Sequence, residues 1–182
     1  MNPTPILETT RLLLRPRGPD DAVSLFPTLA DPEAMRWWSR APLTSLEETH
    51  AYLAEGADQN GWRAWYVTLK GSDRAIGWIS VGTRKQTGVS EIGYLIAREH
   101  WRGGIAREAV ARVLDQLFAV EKQRRIFADI DPENAGSRAL MEKLGFTLEG
   151  RLRGEWETHI GIRDSLIYGL LREEWTCARH PI

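Results

Sequence analysis

Cysteine is nearly absent from this chain: among 182 residues only Cys177 carries a thiol. One cysteine excludes an internal disulfide and leaves no partner thiolate for a structural zinc site. The four histidines, His50, His100, His159 and His180, stand without metal-ligand spacing, so no metal is expected. No apolar run approaches the roughly 18 residues of a membrane-spanning helix, and Met1-Asn2-Pro3-Thr4-Pro5 lacks the basic and apolar stretches of a secretory leader. An excess of either charge is missing too. With 24 Lys and Arg against 25 Asp and Glu, the formal net charge of −1 speaks against a nucleic-acid binder held by phosphate neutralisation. The expectation is a cytoplasmic protein with neither a membrane nor a nucleic-acid partner. Internal repeats and low-complexity linkers are lacking as well, so residues 1–182 read as a single domain.

What is present is a mixed α/β pattern. Thr10–Pro16 reads as a strand closed by proline, and Pro19-Asp20-Asp21 opens a helix through Ala30 with acidic residues in its first turn. Asp31-Pro32-Glu33 is a second helix start leading into Trp37-Trp38. Thr44-Ser45-Leu46-Glu47-Glu48 is a third, with a hydroxyl cap, a carboxylate three residues on, and an end near Glu55 or Gly56. Three apolar, aromatic or β-branched runs follow, at 62–69, 75–81 and 90–96. The turn residues Lys70–Asp73 and Arg84–Gly88 separate them, which predicts an antiparallel meander. Ile105, Ala109, Val110, Val113, Leu114, Leu117 and Phe118 fall at helical spacing and predict a long amphipathic helix to Val120. Ile126–Ile130 reads as a buried strand. The helix after Asn134 is ended by Gly145, and strands at about 147–158 and 165–171 are joined by Ile160–Asp164.

Between the strand ending at Ile96 and the long helix stands Trp101-Arg102-Gly103-Gly104-Ile105-Ala106. First-turn backbone N–H groups have no partner inside a helix and lie at the positive end of its dipole, so an anion placed there gains hydrogen bonds and field together. Glycines let it come close, and Arg102 and Arg107 add charge. No Gly-Lys-Ser/Thr follows, which counts against a nucleotide-binding Walker loop, and the Gly-x-Gly-x-x-Gly dinucleotide fingerprint is absent. Alone, a glycine pair before a helix is as often a turn as an anion site.

The loop resembles the phosphate loop of the GNAT superfamily of N-acetyltransferases, Arg/Gln-x-x-Gly-x-Gly/Ala: Gly104 and Ala106 match, and Trp101 departs from the usual Arg or Gln. Glu8–Pro16 with Asp20-Asp21-Ala22 resembles the opening of the RimJ/RimL branch, the ribosomal-protein N-terminal acetyltransferases. Glu91–Ile96 is similar to the strand that pairs with the pantetheine arm, and Asn134–Gly150 to the closing helix and strand. The matches span about residues 8–172. They imply the GNAT fold, an α/β (α+β) arrangement with a mostly antiparallel sheet of about seven strands, splayed in a V between two central parallel strands. They also imply acetyl-CoA as co-substrate, an amine acceptor and, as in relatives, a homodimer.

The resemblance assigns roles residue by residue. Leu95 and Ile96 pair with pantetheine amides. Arg102, Gly103, Gly104, Ile105, Ala106 and Arg107 hold the pyrophosphate, and Asn134 bonds the cofactor arm. Ser137 protonates the departing thiolate, with a small packing residue as the plainer alternative. Glu91 takes the amine proton through water, unless it is simply solvated, and Glu155 and Glu157 are the runners-up. Gly93, inside a strand, points to a bulge or a close approach of the thioester, or to room for a neighbouring ring. The chain holds eight tryptophans, most of them expected in packing. Trp37, Trp38, Trp78 and Trp156 are the candidates for the acceptor side, where aromatic walls suit a flat group or a cation. A non-catalytic CoA sensor of the same fold is the alternative to an enzyme, and the acceptor stays open between a protein N-terminus and a small molecule.

Overall fold

The computed structural model describes the backbone of residues 4–55, 61–84 and 86–179 and side chains as far as Trp175. Gly56, Lys85, His180, Met1–Pro3 and the side chain of Cys177, named above, lie outside the described residues.

Strands β1 (Leu7–Glu8) and β2 (Leu12–Arg15) precede helices α1 (Asp21–Leu29), α2 (Pro32–Met35) and α3 (Leu46–Glu55). The meander is β3 (Trp62–Leu69), β4 (Ala75–Thr83) and β5 (Val89–Ile96). Then come α4 (Ile105–Asp115), β6 (Arg125–Ile130), α5 (Ala135–Lys143), β7 (Thr147–Thr158), β8 (Gly161–Leu171) and α6 (Arg172–Arg179). Among the described residues, one sheet of eight strands has the order β1-β2-β3-β4-β5-β6-β8-β7, antiparallel except where β5 meets β6. The expected seven strands become eight because the chain reverses at Thr9–Arg11, with Thr9 N–H donating to the Leu12 carbonyl at 3.0 Å. This lets Leu7 and Glu8 pair with Leu14 and Leu13.

Local chemistry explains most boundaries. The Asp31 carboxylate accepts from the Glu33 amide and starts α2. At α3, Ser45 Oγ accepts from Glu48 N at 3.1 Å while Glu48 reaches back to the Thr44 amide at 2.8 Å, a reciprocal cap. The long helix is α-helical only to Asp115; Gln116–Val120 widen into a π turn. Gly145 leaves α5 at φ +86, which a Cβ would strain. The last hairpin is tighter than expected: it turns at His159-Ile160, and Gly161–Asp164 belong to β8 because Ile162 and Arg163 pair with Glu157 and Trp156.

Apolar residues enclose both faces of the sheet. On one face α4, α5 and Trp175 cover β5 and β6. Val110, Val113, Leu114 and Leu117, all fully enclosed there, contribute about 1.5–3 kcal/mol each. On the other face α1 to α3 cover β3–β5, with Leu25, Leu29, Met35 and Leu53 packing in one cluster with Trp78 of β4. The site lies where the two strands between these layers separate.

Candidate functional site

β5 and β6 pair only through Val89–Arg125, Ser90–Ile126 and Glu91–Phe127. Beyond that point β5 stays with β4 as far as Ile96↔Gly77, and β6 stays with β8 as far as Ile130↔Leu166. A gap opens between them, the V expected from the sequence. The Ala97 amide donates to the Ile76 carbonyl, and a Cβ on Gly77 would overlap the Leu95 carbonyl. Antiparallel alternation therefore turns the Leu95 N–H and C=O towards β4 and those of Tyr94 and Ile96 towards the gap. The β4–β5 register is continuous across Gly93, so no bulge forms there; a Cβ would come within 3.0 Å of Ser80 Oγ.

At the end of β5 the chain makes a short turn at Arg98–His100 and enters the loop. Arg102 (φ 60) and Gly104 (φ 77) are both left-handed, and Gly104 is the N-cap of α4 with no side-chain cap, so the amides of the next turn stay free. The loop is anchored from the N-terminal strand. The Arg11 guanidinium donates to the Gly103 carbonyl at 2.9 Å and to Glu108 at 2.6 Å, and Thr9 Oγ1 donates to Glu108 at 2.5 Å. Partial burial alone would raise the Glu108 carboxyl; the bonds from Thr9 and Arg11 hold it below its ordinary value. Trp101 Nε1 donates to the Ile96 carbonyl at 2.7 Å. A cavity of about 570 Å³ runs from the loop to the end of α5, and its charged lining is mixed, with Arg11, Arg107 and Lys143 beside Glu108 and Glu142.

Asn134 caps α5, its Oδ1 accepting from the Ser137 amide at 3.1 Å. The Ser137 side chain meets the Tyr94 hydroxyl, and burial pushes that phenol up to about 12, an effect the serine offsets only in part. By strict hydrogen-bond geometry the Tyr94 oxygen is a buried polar atom without a well-formed partner. A strand residue at the gap and a helix residue beyond it thus meet through hydroxyls.

The opposite face of the gap is acidic and aromatic. Glu91 is buried and paired with Arg84, whose guanidinium also lies 5.4 Å from the Phe127 ring. Asp129, two residues further along β6, accepts from Trp156 Nε1 at 2.8 Å and from the Ser165 hydroxyl. Asp131 binds Arg163 at 2.7 Å. Trp37 lies against Arg36 and Arg163, at 4.7 and 5.7 Å. Trp78 is 5% exposed; Trp38 meets it edge-on at 5.7 Å and donates to the Tyr52 hydroxyl.

A family model described as acetyltransferase (GNAT) domain matches residues 11–147. The chain belongs to the GNAT acetyltransferase family. It is 31% identical over 173 residues to the uncharacterized N-acetyltransferase YoaA of Bacillus subtilis, covering 92% of this chain and 97% of that one. A GNAT-family acetyltransferase from Bacillus anthracis superposes with a TM-score of 0.85 at 25% identity, covering 93% and 100%. A spermidine N-acetyltransferase from Vibrio cholerae, solved with CoA and spermine, shares the fold with a TM-score of 0.79 at 23% identity over 92% and 99%. The protein is an N-acetyltransferase with the GNAT fold.

In this GNAT domain the expected residues fall into two groups. Ile96, Gly103 to Arg107, Asn134 and Ser137 gather around one side of the gap, while Glu91, Trp37 and Trp156 stand on the other. Trp78 is buried in the core beneath α3, and Trp38, half-buried, packs against it. Glu157 alternates with Trp156 and so points away from the face that holds Asp129, whereas Glu155 lies in the irregular stretch between Leu152 and Trp156. Sequence reasoning missed Tyr94, Arg11, Lys143 and Asp129. The period-2 pattern of Ile126-Phe127-Ala128-Asp129-Ile130 carried a signal for the last, an acidic residue on the half-buried side of an otherwise apolar strand.

Proposed function

We propose that this N-acetyltransferase moves acetyl from acetyl-CoA to a primary amine by direct attack on the thioester. The observation that carries the reading is the parting of β5 and β6 beyond Glu91–Phe127, with an amide-lined loop at the end of the opened edge. The residues fit the co-substrate. The N–H and C=O of Tyr94 and the N–H of Ile96, whose carbonyl is taken by Trp101, offer a strand edge for the amides of a pantetheine arm. The amides of Gly103 to Arg107 face a pyrophosphate, with Arg107 and Lys143 at the adjoining cavity to balance phosphate charge, Arg11 being paired with Glu108.

Each side of the gap then has a task. Asn134 fixes the first turn of α5 and so places Ser137. Ser137, with Tyr94 behind it, supplies a proton to the sulfur as the C–S bond breaks. Glu91 receives a proton from the amine through water, and the ion pair with Arg84 holds its side chain in place. An α-amine asks less of this base than a lysine, because its pKa of about 7.7–8.0 leaves much of it neutral at cellular pH. The Glu8–Pro16 segment supports a place in the RimJ/RimL branch and an acceptor of that kind.

The location is tested by titrating the 15N-labelled protein with CoA. The amide resonances of Ile96 and of Gly103 to Arg107 should move together and saturate. Shifts confined to other residues would overturn the assignment.

A further inference from the structure

Asp129 differs from the carboxylates around it. Glu91 pairs with Arg84, Asp131 with Arg163, Asp164 with Arg151 and Glu149 with Arg125. Asp129 accepts only from neutral donors, the Trp156 indole and the Ser165 hydroxyl, and among the described residues no cation pairs with it. A carboxylate has about four acceptor positions, so half of its capacity is free. Ser165 is fully enclosed and Trp156 spans from β7, so the group is held by both strands of the last hairpin.

Its position matters as much as its charge. Phe127 is the last residue of β6 to pair with β5, opposite Glu91. Continuing that parallel register sets Asp129 opposite Gly93 across the opened gap, on the face shared by Glu91 and Phe127. Asp129 is half-buried, and its remaining acceptor positions suit the N–H groups of a cation.

We propose that Asp129 is the ammonium-binding residue of the acceptor subsite, and that the acceptor is a basic aliphatic amine, cationic when it arrives, and not a weakly basic arylamine. Taking this subsite as that of the acceptor rests on the acetyl-transfer reading above. Asp129 holds the nitrogen beside the gap, while Glu91 remains the base. The Trp156 indole N–H, bonded to the same carboxylate, reports on what Asp129 binds.

The test follows the Trp156 indole 15N–1H resonance of the CoA-saturated protein, assigned with Trp156→Phe, during titration with ethylammonium chloride, sodium chloride or ethanol. A saturable shift is expected with ethylammonium alone. Asp129→Asn, an isostere that keeps an acceptor for the indole, should weaken ethylammonium binding at least tenfold while CoA affinity by calorimetry changes less than twofold. Equal responses to ethylammonium and sodium, no saturable shift, or undiminished ethylammonium binding in Asp129→Asn would overturn the proposal. The comparison of ethylammonium with sodium and ethanol in the wild-type protein decides the matter even if the variant fails to fold. Loss of CoA binding in the wild-type protein would instead count against the acetyl-transfer reading, leaving the ammonium result to stand separately.

Discussion

The indole Nε1 of Trp101 donates to the main-chain carbonyl of Ile96 across five residues, at 2.7 Å. At this position the GNAT loop usually has arginine or glutamine, also side-chain donors, so the departure in sequence keeps a donor. The bond closes the turn that brings the loop back against the end of β5. Trp101→Phe keeps the ring and removes the N–H. The expected cost is about 1 kcal/mol of stability, with a roughly fivefold loss of CoA affinity if the loop loosens by the same free energy. Thermal melts and calorimetry check both; unchanged values would leave the bond without consequence.

Gly104 is the N-cap of α4 at φ +77, with Arg11 Nη2 at 3.4 Å from where a Cβ would stand. An L-residue in this conformation costs roughly 1–2 kcal/mol, and a β-branched one more. Gly104→Val should abolish measurable CoA binding, and Gly104→Ala should weaken it by about tenfold, near 1.4 kcal/mol. Calorimetry on the folded variants reads this directly. Wild-type affinity in Gly104→Val would remove the loop from the cofactor site.

Glu108 joins Thr9 and Arg11 to the first turn of α4, and its carboxyl lies below the ordinary range in the folded protein. A depressed folded value contributes stability above the unfolded value of about 4.3, and the contribution disappears as the pH falls through the lower folded value. Melting temperature as a function of pH should show wild type above Glu108→Gln by a constant margin from neutrality to about pH 5, narrowing under more acid conditions. A margin that widened on acidification would contradict the sign.

Ser137 and Tyr94 share a hydroxyl contact at the gap, and the Tyr94 phenol, pushed up to about 12, stays protonated throughout the working range. Ser137→Ala should lower kcat by about 100-fold, the low end of what a general acid supplies, with CoA affinity nearly unchanged. Tyr94→Phe should lower kcat less, and neither variant should acquire a new ionisation below pH 10. Rate–pH profiles and calorimetry check these outcomes; an unchanged kcat in Ser137→Ala would take the serine out of the chemistry.

The meander is legible in the sequence because its three apolar, aromatic or β-branched runs are parted by turn residues, and the long helix because its apolar residues recur at helical spacing over 105–118. The two-residue strand Leu7–Glu8 is too short to show a period, and the π turn at Gln116–Val120 keeps helical spacing, so neither can be read that way. Leu95 and Ile96 are visible as a strand end, yet which of them faces the gap depends on register, fixed here by Ala97 N–H to Ile76. Trp78 carries the same aromatic signal as Trp156; only the folded chain shows the first in the core and the second on Asp129. Asp129 itself gains meaning from the arginines its neighbours have and it lacks.

The central claim is that the gap between β5 and β6 holds acetyl-CoA for transfer to an amine. Its most direct test is to incubate the protein with acetyl-CoA and a panel of aliphatic amines and N-terminal peptides, measuring free thiol and acceptor mass together. One thiol should be released for each acceptor that gains one acetyl group, well above the rate without protein. Tight CoA binding with no thiol release above background for any acceptor would contradict it and identify a binding module.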